Sequence, residues 1–379
     1  MMRAFLMIAV MLTAVPLLAQ ATIPAQPAQP PTLEEVRAQM GIPSRGDVRG
    51  QRDAVGFAST PEQMAKVWEL AATAPAPERL GPSPTPGVAG VLCPHDDYIY
   101  AGRMYRQVLP LVTAKTVVLI GVFHRYRVFG AHDRVVFDPY RAWWGPDGEI
   151  QVSPLRGELL ARLPAEDVLQ SAAMHDSEHS LEALAYWLKH IDPEVEIVPI
   201  IVPASRFSRL AELANHLGGA LADAMRQHGW QLGRDVAVAI SSDAVHYGLD
   251  FQHVPFGEGG IEAYEKAVAR DRSLLTGPLA GPVTVEKMRE LAATFVNPDD
   301  PDEYRLTWCG RFAIPFGLLT LPATAQALGD GEVEGHAIAY ATSVGAPELP
   351  VRTLGMGDTA PANLYHFVGY PAAAYTVSR

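Results

Sequence analysis

The chain has 379 residues, of which 48% are hydrophobic and 19% charged, a balance that suits a large packed core rather than a disordered polypeptide. Its 42 acidic residues outnumber 30 basic ones, for a net charge of −12. That excess argues against a general nucleic-acid binder, which needs a basic surface to neutralise phosphates, and against docking on an anionic membrane.

In chain order, Arg3, the apolar run Ala4–Leu18 and the small-residue site Ala19-Gln20-Ala21 predict a cleavable signal peptide over residues 1–21. The run is shorter than the roughly 20 apolar residues a membrane span needs. The mature product is therefore expected in the periplasm or secreted, with no membrane insertion after cleavage. Residues 22–32 (TIPAQPAQPPT) read as a Pro-rich linker, and the stretch to residue 87 as an N-terminal helical extension. One of its two short helices opens at Thr60-Pro61-Glu62, a cap followed by proline at the first helical position.

From residue 88 onward the pattern changes. Val88–Cys93, Thr116–Val122, Glu196–Val202, Asp235–Ile240 and His336–Thr342 are near-continuous apolar runs, as expected of strands covered on both faces. Between them lie helical stretches. Glu178–Lys189 carries Leu181, Leu184, Ala185 and Leu188 as one stripe; Leu210–Gln227 and Glu262–Leu275 are two more. The alternation predicts one layered α/β/α domain over residues 88–379 with a mainly parallel or mixed central sheet.

Three of those strands end in residues that bind metals or move protons: Cys93-Pro94-His95-Asp96-Asp97, Gly121-Val122-Phe123-His124, and Ser241-Ser242-Asp243-Ala244-Val245-His246. In open α/β sheets ligands bind beyond the carboxyl ends of the strands, so these side chains are expected to converge. A second pattern, His175-Asp176-Ser177-Glu178-His179, matches the H-x-x-E-H of inverted zinc peptidases. It reads either as a helical zinc pair with Glu178 as base or as a polar helix start. Cys93 and Cys309 read either as a disulfide or as site thiols.

The segments PHDDYIYAG (94–102), IGVFH (120–124), EHSLEALAYWL (178–188), VPIIVP (198–203), SSDAVHYG (241–248) and WCGRFAI (308–314) resemble, in this order, the Memo family. Its bacterial members are often called AmmeMemoRadiSam system protein B. The family's fold is similar to the catalytic subunit of class III extradiol dioxygenases, non-haem iron enzymes that open catechol rings. The resemblance implies that His95, His124 and Cys309 hold one divalent metal ion. It also implies that Asp243 and His246 share the pocket, with His246 as acid/base. Two imidazoles and a thiolate suit Fe, Cu or Zn. The family has Ala-Gly after its first Pro-His where this chain has Asp96-Asp97; in or near the pocket, these carboxylates orient a ligand histidine, add a hard oxygen ligand or lie on solvent, and the first role is expected for one of them. His175, Glu178, His179, Tyr98 and Arg311 are placed around the pocket, Arg311 facing an anionic group or closing an ion pair; Tyr98 and Tyr100 alternate on the segment after His95, so that one of them faces the pocket or both pack in the core.

The function expected is metal-dependent, dioxygenase-like chemistry on a small-molecule substrate. Metal or ligand binding without turnover, and zinc hydrolysis through the H-x-x-E-H segment, stand as alternatives.

Overall fold

The computed structural model describes residues 29–378, so the expected signal peptide lies outside the described residues. Four parallel strands form the centre of a mixed sheet, in the order Ile150–Val152, Glu196–Val202, Thr116–Val122, Val236–Ser241 and then a fifth parallel neighbour, Gly90–Cys93. Two long strands, Phe367–Val377 and Val333–Thr342, continue the sheet antiparallel beyond Gly90–Cys93. The four β-branched runs expected at the centre are strands within two residues of their predicted bounds, because both faces of each are buried.

Helices cover both faces, which confirms the layered α/β architecture. Ile120 and Gly121 are consecutive and point to opposite sides. Ile120 meets Gly317 of the Ala313–Leu328 helix, whereas Gly121 abuts Leu181 at the start of the Glu182–Ile191 helix. On the first face, the Phe207–His228 and Ala313–Leu328 helices approach closely where Gly218 meets Ala323. On the second, Tyr98 and Tyr105 of the Tyr98–Val108 helix pack edge-on or tilted against Trp187, with ring centroids 5.9 and 5.4 Å away.

The extension before residue 88 is part of this second face. Thr60 caps the Pro61–Thr73 helix as its sequence predicts, accepting from the Gln63 N–H at 3.2 Å, and Trp68 of that helix packs tilted against Trp187. Further upstream, Arg49 is completely buried and forms an ion pair of 2.7 Å with Glu182. Its guanidinium lies 4.2 Å from the Trp143 ring centre and also donates to the His175 and Glu178 carbonyls. This anchor fixes residues 49–53 against the sheet edge where the predicted site residues emerge. Among the described residues no helix is long and apolar enough to cross a membrane.

Candidate metal centre

Val236–Ser241 lies between Thr116–Val122 and Gly90–Cys93, all parallel, so three neighbouring strands deliver their carboxyl ends to one edge. There His95, His124, His179, Asp243, His246 and Cys309 line a cavity of about 880 Å³. The convergence expected from the strand-end motifs is present.

His95 sits at the centre and is 2% exposed. Its Nδ1 lies 2.7 Å from Ser241 Oγ, whose own hydroxyl donates to the Ser180 carbonyl. A hydroxyl has one hydrogen, so Ser241 accepts from Nδ1–H and the His95 lone pair is left on Nε2. That Nε2 faces Asp243 Oδ2 at 3.4 Å and Cys309 Sγ at 3.6 Å. The backbone N–H of His95 donates to Asp243 Oδ1 at 3.0 Å.

His124 is set in the same way by a different partner. Its Nδ1–H donates to Glu178 Oε1 at 2.9 Å and its backbone N–H to Oε2 at 2.7 Å, which again frees Nε2. Glu178 Oε1 also accepts the His179 and Ser180 N–H groups at 2.8 and 2.9 Å. Burial alone would raise the Glu178 carboxyl, yet His124, His179 and these backbone donors outweigh it and hold it below the usual carboxylate range. His179 stacks on His124 with 5.1 Å between ring centres.

His246 completes a trio of oriented rings. Its Nδ1 lies 3.1 Å from the Ala244 carbonyl and 3.0 Å from that of Thr307; carbonyls only accept, so Nδ1 carries the proton. Burial lowers His246 to about 4, which keeps the ring neutral at pH 7 with a basic Nε2. Cys309 Sγ accepts the Asp243 N–H at 3.0 Å, but burial and the Asp243 carboxylate push its thiol well above the ordinary value. Cys93 and Cys309 are both free and buried, which removes the disulfide reading.

Two groups of side chains bring their ligand atoms within 4.8 Å of one another: His95 with His124 and His179, and His95 with Asp243 and Cys309. His95 belongs to both. The expected trio of His95, His124 and Cys309 straddles these groups, and His179, expected only near the pocket, joins the donors. Acceptor atoms on His95, Asp243 and Cys309 face one another, an arrangement that a cation satisfies once the thiol and carboxyl lose their protons. The donor set therefore fits a transition metal.

Three expectations are corrected. His175 does not reach the cavity: it is fully buried, its Nε2–H donates to the Val136 carbonyl at 3.0 Å, and its ring packs near Trp143. The H-x-x-E-H segment is not one helix. Helix Ala172–Asp176 ends before Glu178 and the next begins at Glu182, because the Glu178 carboxylate captures the N–H groups of the intervening turn. Tyr98 is also buried in the aromatic core, since the chain turns helical at that residue rather than staying extended. Tyr100 lines the cavity instead.

Asp96 and Asp97 are cavity wall, not partners of a ligand histidine. Asp96 Oδ2 accepts from Tyr370 at 2.6 Å, and Asp97 Oδ2 accepts from the Thr359 N–H at 2.6 Å. Burial, reinforced by Asp96, raises Asp97 to about 8. Arg311 lines the cavity with its guanidinium 3.4 Å from the Tyr304 ring centre. The residues that sequence reasoning missed are Ser241 and Ser180, which set the His95 tautomer; their signal lay in the quoted SSDAVHYG and EHSLEALAYWL segments, as hydroxyls flanking the acidic and histidine positions. Gly310 was missed for its packing: a Cβ there would lie 2.4 Å from Ser242, so only glycine lets the Cys309 turn approach the strand end.

Comparison with known proteins identifies the family. The Memo-like protein family matches residues 58–349, a range that takes in the Pro61–Thr73 helix and ends before the Phe367–Val377 strand. A MEMO1 family protein of Thermococcus kodakarensis is 30% identical over 226 residues, 56% of this chain and 71% of the relative. One from Thermococcus onnurineus is 28% identical over 172 residues, covering 44% of this chain and 56% of the relative. Another, from Aquifex aeolicus, is 28% identical over 189 residues, 49% of this chain and 45% of the relative. The match thus spans about half the length of the latter two relatives. With the family matched over well more than half of the chain, and the quoted segments from 94 to 314 all inside that range, this protein belongs to the Memo-like family.

Proposed function

We propose that this protein, exported from the cytoplasm, holds one divalent transition metal at His95 and performs dioxygenase-like chemistry on a small molecule in the adjoining cavity. The observation that carries this reading is the locked tautomer of His95 and His124, whose Nδ1 atoms are committed to Ser241 and Glu178. Imidazoles held this way by an outer hydrogen bond are typical of metal ligands. His179, Asp243 and Cys309 supply the remaining donors, a nitrogen, oxygen and sulfur set compatible with Fe, Cu or Zn. When bound, the metal supplies Lewis-acid polarisation or redox chemistry.

The chain's own residues do the rest. His246 is neutral with Nε2 free, so it takes a proton from a substrate hydroxyl and returns it later, while the Ala244 and Thr307 carbonyls stabilise the imidazolium formed. Phe251 packs edge-on against the His246 ring and lines the cavity, giving the substrate an apolar wall. Export is supported by the charged, apolar and small-residue succession over residues 1–21. Zinc hydrolysis through H-x-x-E-H draws no support, since His175 and His179 do not meet.

The test is metal analysis of the mature protein from a periplasmic preparation beside a His95→Ala, His124→Ala variant, with oxygen uptake on simple catechols as the activity readout. One metal per chain, lost in the variant, is the expected result. Metal without any catechol turnover leaves a binding protein, and the absence of metal from the wild type withdraws the reading. His179→Ala and Cys309→Ser variants, compared by X-ray absorption, tell which donors complete the site.

A further inference from the structure

Part of the cavity wall is built from the segment preceding residue 58, where the family match begins. Gln39, Arg52 and Asp53 line it. Arg52 is held there by an anchor, not by chance: the carboxylate of fully buried Glu182 accepts the Arg52 and Asp53 backbone N–H groups at 2.6 and 3.0 Å, and is itself paired with buried Arg49. The Arg52 side chain donates from Nη1 to the Gln39 carbonyl at 2.6 Å. Arg125, next to His124 in the chain, reaches the same glutamine and donates to its side-chain oxygen at 3.3 Å.

Two guanidinium groups therefore share one neutral glutamine; Arg52 and that glutamine line the metal cavity, and Arg125 reaches it through the glutamine side chain. Among the described residues, neither forms an ion pair, although the chain has 42 acidic residues against 30 basic. Of the neighbouring carboxylates, Glu182 and Glu178 are engaged elsewhere and Asp53 commits one oxygen to its own turn. Asp53 Oδ1 accepts the Val55 and Gly56 N–H groups, Glu182 pairs with Arg49, and Glu178 holds His124. Burial first and the neighbouring Arg125 second push Arg52 below its ordinary value, outweighing the opposing pull of Glu182, Glu178 and Asp53. Such an arrangement is stabilised by an anion that accepts from both forks.

We propose that Arg52 and Arg125 form the anion subsite of this cavity, taking the carboxylate or phosphate of a small organic acid whose body extends toward His95. The proposal rests on the metal-site reading for the identity of the reacting end, while the subsite itself needs only the two arginines. It makes the N-terminal segment a specificity element that sequence alone assigned to an extension.

The test is calorimetric titration of benzoate and of inorganic phosphate at fixed ionic strength into three proteins: wild type as purified, Arg52→Gln with Arg125→Gln, and His95→Ala with His124→Ala. Both arginines are partly exposed and tie down no strand or helix, so their replacement leaves the fold intact, checked by an unchanged unfolding midpoint. The expected result is saturable binding in the wild type, weakened on the order of tenfold or more by the arginine changes and retained in the histidine variant. The better of the two anions identifies the ligand's acidic group. Binding that survives the arginine changes but disappears with the histidines would place the anion on the metal and overturn the subsite. Absence of saturable binding of either anion in the wild type overturns it too. A wild type that binds the anion yet holds no metal leaves the subsite standing and removes the metal reading alone.

Discussion

Replacing Glu178 by glutamine tests whether the carboxylate beneath His124 governs the metal centre. In the folded protein Glu178 accepts four hydrogen bonds: Oε1 takes His124 Nδ1–H and the His179 and Ser180 N–H groups, and Oε2 takes the His124 N–H. An amide keeps one oxygen and replaces the other with an NH₂ group. In the better orientation the NH₂ group faces the His124 N–H; in the worse it faces three donors. Losing one charge-assisted bond in a buried site costs about 1.5–3 kcal/mol of stability. The weaker acceptor also lowers the basicity of His124, and outer-shell changes of this kind reduce metal affinity about 10–100-fold, roughly 1.4–2.8 kcal/mol.

The assays are chelator competition for metal affinity and urea unfolding of the metal-free protein. The pH dependence has a definite sign. Because the folded carboxyl lies below its ordinary value of 4.5, its stabilisation is complete above that pH and is lost as pH falls further. The stability gap between wild type and variant should therefore be full at pH 7 and close on acidification below 4.5. Metal affinity within twofold of wild type, together with a gap that does not change with pH, would refute the role given to Glu178.

Arg49→Met should destabilise the protein by about 3–5 kcal/mol, since it leaves Glu182 buried without its partner. A urea midpoint close to that of wild type would contradict the anchoring role. His175→Ala should leave metal content unchanged while costing about 2–4 kcal/mol for a truncated buried ring. Burial lowers His175 to about 3, so its contribution is complete above the ordinary 6.5 and is lost as pH falls toward 3. The deficit of the variant, followed by unfolding at several pH values, should accordingly shrink on the acid side, and loss of metal in it would revive the H-x-x-E-H reading.

Much of the sheet was legible because a strand buried on both faces writes itself as an uninterrupted β-branched run. Thr116–Val122 and Glu196–Val202 have the bounds expected of them. The Ala313–Leu328 helix was not legible: it is buried on nearly all sides and contains Pro315 and Pro322, so no apolar stripe marks its period. The Phe367–Val377 strand hid behind Pro371 and an alanine run. Its ladder with Gly90–Cys93 starts only at Ala373, so the missing proline N–H falls beyond the paired stretch on that side.

At the site, the sequence by itself determined which strand ends would meet. Strand-end placement brings His95, His124 and Asp243 to one edge of any parallel sheet that orders these strands as neighbours, and His246 and Cys309 came with the family's motifs. Only the tertiary structure decided what each side chain does there. The choice between His175 and His179 depended on where Glu178 broke the helix, and the choice between Tyr98 and Tyr100 on where a helix began. The orientation of the His95 and His124 rings depended on hydroxyl and carboxylate partners 146 and 54 residues away in the chain. Such contacts are long-range hydrogen bonds between residues with no periodic signature, so they become readable only when packing has brought the partners together.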